Sequence, residues 1–216
     1  MAEVLKNRQE QRVVLPNASW ETYERLLAER EERRSPRFFY DRGVLEILSP
    51  SAEHDMTSRI IATLVELLAE EADTDIENAG STTFKREDLS RGFEPDECFY
   101  FGDGAARVRE IVAERGDLDL DSGDPVPDLV VEVDVTSPSL EKLPIYSRLG
   151  VPEVWRHDGE RLVVFLLDEA SYVAASESAI LPGATDDALT RLVAEGLTLD
   201  RRLWRRRVRE ATHGPR

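Results

Sequence analysis

Cysteine is nearly absent. The single residue, Cys98, rules out an intramolecular disulfide, and its place in the apolar run CFYF points to a buried, inert thiol. Histidine is scarce too: His54, His157 and His213 lack zinc-like spacing and have no accompanying thiols, which argues against a zinc site. Only Lys6, Lys85 and Lys142 are lysines among 28 basic residues, so where arginine is the default cation, Lys85 and Lys142 become candidates for work that needs a compact point charge. No apolar run approaches the ~20 residues of a membrane span. The opening MAEVLKNRQEQRVVLPN has no apolar core of signal-peptide length, so a cytoplasmic location without membrane attachment is expected. There is no glycine-rich phosphate loop of the Walker or dinucleotide kind, and Ser137 and Ser139 lack the setting of a nucleophile elbow. These absences set aside nucleotide-driven, dehydrogenase and serine-hydrolase chemistry.

What is present is a chain of 216 residues, 41% hydrophobic and 33% charged, enough to bury a core as one domain without covalent staples. Its formal charge is −16, which works against long-range attraction to phosphate backbones. One local exception is the cluster Arg201, Arg202, Arg205, Arg206, Arg207 and Arg209, readable as a basic patch or as a solvated helix end.

Spacing predicts a helix over SWETYERLLAEREERR, with capping residues at Asn17 to Trp20, and a hairpin over RFFYDRGVLEILSP turning at Asp41-Arg42-Gly43. The stripe Ile60, Ile61, Leu64, Leu67 and Leu68 predicts a long second helix from Ser51. Shorter pieces, IENAGSTTFKRED and PDECFYF, read as strands on either side of a turn, SRGFEP. A helix is expected over Ala105 to Glu114. The β-branched run PDLVVEVDVTSPS is the best strand, followed by a short helix around Glu141 to Leu149. Two strands in VPEVWRHDGERLVVFLLD and helices near Ala184 to Glu195 and Asp200 to Glu210 complete an α/β chain, a central mixed sheet flanked by helices.

Along Asp128 to Thr136, the strand period of two places Glu132 and Asp134 on one face. Two neighbouring carboxylates inside a sheet need a compensating cation, either a divalent metal or a lysine; on an exposed strand end they need none. Asp96 follows Pro95 at the start of an apolar strand. Glu53 lies at the head of the second helix, where an acid also complements the helix dipole. Lys142, on the helix after the strand, can fold back toward the strand's end.

Several stretches together, WETYERLLAE, GVLEILSPSAEHD, GSTTFKREDLSRGFEPDECFY, PDLVVEVDVTSPS and EKLPIYSRLGVPEVWRHD, resemble the Uma-two family within the PD-(D/E)XK nuclease superfamily, from about Val13 to about Val164. The resemblance implies a restriction-endonuclease-like core over residues 14–170, with residues 171–216 as a C-terminal helical extension packed on the same domain. It implies a catalytic set of Glu53, Asp96, Glu132 and Lys142, with Asp96, Glu132 and Asp134 around Mg²⁺ or Mn²⁺, and DNA as the substrate. A homodimer is a further expectation. The sequence departs from the superfamily in one place: Asp134 stands where the usual lysine follows the glutamate by two residues, and Lys142 or Lys85 would supply the ammonium instead. The alternative implied by that departure and by the acidic charge is a nuclease fold kept as a non-catalytic interaction module.

Overall fold

The computed structural model describes residues 10–30, 35–134 and 141–212. Thr136, Ser137, Ser139 and His213, and the predicted end of the first helix beyond Arg30, lie outside them. The expected mixed sheet forms, and a second, antiparallel sheet accompanies it.

The first sheet is antiparallel throughout, in the order β1 (Gln11–Pro16), β3 (Val44–Ser49), β2 (Arg37–Asp41), β6 (Arg91–Phe93) and β5 (Phe84–Arg86). The hairpin turns at Arg42 and Gly43, both with positive φ, as the glycine there suggested. Helix α1 (Trp20–Arg30) covers one face of this sheet, where Tyr23 packs among Phe38, Tyr40 and Leu45. Tyr23 and Tyr40 stack with centroids 5.1 Å apart.

The second sheet runs β11 (Ser171–Ala175), β10 (Leu162–Asp168), β9 (Glu153–His157), β8 (Leu129–Val133), β7 (Glu97–Phe101) and β4 (Ile76–Asn78). It is mixed, because β8 and β9 are parallel and the other pairs antiparallel. The crossover between the parallel pair contains α4 (Leu143–Leu149), which ends at Gly150 in the left-handed conformation. Every residue of β8 is buried, so its continuous β-branched run reflects cover on both faces.

The period of two sorts that cover. Leu129, Val131 and Val133 face α2 (Ala52–Glu71), α5 (Asp186–Thr198) and α6 (Arg201–Thr212), where Leu64, Leu192 and Trp204 belong to the same core. Val130 faces Ile145 and Tyr146 of α4, Val108 of α3 (Asp103–Arg115), and Phe39, Leu48 and Phe93 of the first sheet. The two sheets therefore share one core, and Glu132, in phase with Val130, projects into the layer between them.

Candidate active site

Strand β8 and the residue before β7 supply the carboxylates. Glu97 pairs with Val131 across the antiparallel ladder, so Asp96 falls level with Glu132. The Asp96 carboxylate is fixed by the strand itself, Oδ2 accepting from the Val133 N–H at 2.6 Å. Both acids are buried, with 2% of Asp96 and 1% of Glu132 exposed. Burying two carboxylates side by side costs several kcal/mol per charge unless cations meet them.

The chain supplies those cations. Lys142, at the N-cap of α4, donates from Nζ to Glu132 Oε2, lies 3.7 Å from Asp134 Oδ1 and sits 4.1 Å above the Phe39 ring. Tyr146, one helical turn further along α4, donates its hydroxyl to Glu132 Oε1 at 2.5 Å. Burial pushes the Glu132 carboxyl up from its ordinary value, Lys142 pulls it down, and Asp134 adds a smaller upward push. Arg37, at the start of β2 and nearly buried, pairs with Asp96 Oδ1 and reaches within 3.8 Å of Asp55. One sheet thus provides the acids, and the other provides an arginine and the aromatic ring beneath the lysine.

His54, in the first turn of α2, is fully buried and places Nε2 at 3.2 Å from Asp96 Oδ2. Burial, then the nearby Arg37 and Lys142 charges, lower its pKa to about 3, so the imidazole is neutral at physiological pH.

Of the expected set, the structure brings Asp96, Glu132, Asp134 and Lys142 together. It does not bring Glu53, which is exposed. His54 is the residue of that turn that reaches Asp96. Lys85 lies apart from the cluster and donates to Glu24 of α1 at 2.5 Å. Sequence reasoning missed Arg37 and Tyr146. Tyr146 had a usable signal, since it stands four residues after Lys142 on one helix and must share its face. Arg37 had a weaker one, as the cation that opens a strand rich in aromatics, RFFYD. Cys98 is buried, and burial pushes its thiol well above the usual value, so it is inert as expected.

The acids fit a hard dication in donor type, and the buried Asp134 Oδ1 makes no hydrogen bond. Among the described residues, no three histidine, cysteine, aspartate or glutamate side chains are gathered as a ligand group, so a hard ion held there would complete its shell with waters. The space against Glu132, Asp134 and Lys142 is about 20 Å³, room for little more than one water. Asp96 opens instead onto a cleft of about 160 Å³ that Arg37, Ser58, Arg59, Ser81 and Glu97 also line.

Buried acids on the central strands β7 and β8, with a lysine from α4, lie in a mixed sheet flanked by helices, an α/β arrangement. The chain belongs to the Uma2 family, described as "Putative restriction endonuclease", whose model matches residues 20–201. Its fold resembles a crystal structure titled as a putative nuclease belonging to DUF820 from Anabaena variabilis, with a TM-score of 0.51 and 13% identity, over 82% of this chain and 99% of that one. No curated protein matched. Among the described residues, no helix is long and apolar enough to cross a membrane.

Proposed function

We propose that this chain is a metal-dependent endonuclease that hydrolyses phosphodiester bonds in DNA. The observation that carries the reading is the buried pairing of Asp96 and Glu132 on adjacent strands, with Lys142 held against Glu132. Nothing in the packing of a core requires that arrangement, and its desolvation cost makes it an expensive way to join two strands.

Asp96, Glu132 and Asp134 would hold Mg²⁺ or Mn²⁺, in competition with Arg37 and Lys142 for the same oxygens. Bound there, the ion supplies Lewis-acid polarisation of the phosphate and a water of lowered pKa. The Val133 amide fixes the carboxylate plane of Asp96. The hydroxyl of Tyr146 fixes Glu132. Lys142, once free of Glu132, presents Nζ where it stabilises charge building on phosphate oxygens or orients a water by donating to it. Neutral His54 takes up space beside Asp96 without adding a competing charge. Glu53, exposed as it stands, has no part in these contacts.

The internal compensation of each acid favours a second reading, a nuclease fold retained as a catalytically inactive interaction module. Calorimetric titration of Mg²⁺ and Mn²⁺ into the wild type and into Glu132→Ala separates the two. Binding by the wild type that Glu132→Ala loses supports the enzyme. A wild type that binds neither ion supports the module.

A further inference from the structure

Helix α6 carries six arginines in 12 residues on a chain whose formal charge is −16. It begins at Arg201, where the family match ends, so the family likeness does not account for it. At about 100° per residue, Arg202, Arg205, Arg206 and Arg209 fall in one sector about 100° wide. The centre of that sector is about 150° from Trp204 and about 110° from Val208, the two residues of α6 that are buried. All four arginines are exposed.

Local partners leave much of this charge unmet. Arg209 reaches Glu70 at 3.4 Å and Glu71 at 3.2 Å, and Arg201 turns back to the Gly196 carbonyl. Arg202 stands 3.6 Å from Asp200, but that pair is 92% and 62% exposed and so weak. Arg205, Arg206 and Arg207 make no ion pair among the described residues. The stripe also works against its own helix. Two arginines and no acid occupy the first turn, where the dipole is positive, and Arg202/Arg206 and Arg205/Arg209 are like charges four residues apart. Trp204, whose indole N–H donates to the Leu192 carbonyl at 2.8 Å, holds the helix in place in spite of this.

We propose that this stripe is a docking surface for the phosphate backbone of double-stranded nucleic acid, separate from the cleft at Asp96. The inference rests on the nucleic-acid reading above and adds to it the place where an acidic protein holds a polyanion. Charge complementarity favours this occupant. An anionic membrane fits less well, because Trp204 and Val208 are spent on the core and leave no broad apolar face to enter lipid. From Arg202 to Arg209 the helix rises about 10 Å, the span of about three phosphates of one strand. Its direction also suits the site. Gly196, just before α6, abuts Ile60 in the first half of α2, whereas Arg209 reaches α2's far end at Glu70 and Glu71. The Arg202 end of the stripe therefore lies toward the end of α2 that carries His54.

The test is fluorescence anisotropy of a labelled duplex with the full chain in EDTA, between about 50 and 200 mM salt, where phosphate contacts are read from the salt slope. The proteins are wild type, Arg202→Gln/Arg205→Gln/Arg206→Gln, and a control, Arg25→Gln/Arg107→Gln/Arg191→Gln, that removes the same charge from other exposed positions. The stripe variant is expected to lose about 3 from the slope of log affinity against log salt, about one per arginine, and to bind about tenfold or more weakly. The control keeps most of the wild-type slope, and the melting temperature of the stripe variant does not fall. Equal slopes for wild type and stripe variant overturn the proposal. So do equal losses in both variants, or a wild type that binds anionic vesicles but not the duplex. A wild type that binds through the stripe yet never cleaves with Mn²⁺ keeps this inference and overturns the nuclease reading.

Discussion

Asp96 and Glu132 are each met by one close cation among their partners, and removing that cation exposes how the charge is carried. In Arg37→Leu, Asp96 stays buried with its cation gone, so the variant is expected to lose about 3–5 kcal/mol of stability in urea unfolding. Mn²⁺ should restore part of the loss, because an ion at Asp96 no longer competes with a guanidinium. A loss below about 1 kcal/mol would mean that Asp96 does not need Arg37. Asp96, Glu132 and Lys142 were legible in the sequence because a two-residue strand period and family-like motifs converge on them. Glu53 and His54 show where that legibility ends. Neighbours on a helix differ by about 100° in direction, and a motif says which turn matters without saying which residue of the turn faces inward. Arg37 was hidden for another reason: its partner lies on a different sheet, and pairing across sheets leaves no periodic trace.

At the scale of elements, helices and long strands were readable because their apolar periods are sustained. The strand β6 was not. Arg91-Gly92-Phe93 reads as a turn, yet Gly92 is a strand residue whose missing side chain makes room for α1: a Cβ there would meet the Tyr23 hydroxyl at 2.2 Å. Gly92→Ala should therefore force α1 off the first sheet or β6 out of register, costing about 1–3 kcal/mol in chemical denaturation. An unchanged midpoint would show that Tyr23 moves freely. β1 carries no readable strand signal, because its Val13, Val14 and Leu15 remain 52%, 37% and 39% exposed and neither face gives the alternation of a half-buried strand. β11, SYVAA, lies at the other sheet's edge with a similarly weak pattern.

For the whole molecule, the expected mixed sheet is present and meets a second, antiparallel sheet over a shared core, and the acid cluster lies in that seam. The second sheet supplies Asp96, Glu132 and Asp134, the first supplies Arg37 and Phe39, and α4 and α2 supply Lys142 and His54. That division makes the site a property of the assembled domain, beyond the reach of any single segment of sequence. The central claim is that this cluster cleaves DNA with a divalent ion. Conversion of supercoiled plasmid to nicked or linear product tests it most directly, in Mg²⁺, Mn²⁺ or EDTA, with wild type, Asp96→Asn and Glu132→Gln compared after their folding is verified. Cleavage by the wild type with either ion, none in EDTA, and a loss of at least about 100-fold in both variants are expected. Cleavage that survives in both variants, or a folded wild type that leaves the plasmid intact with both ions, would contradict it.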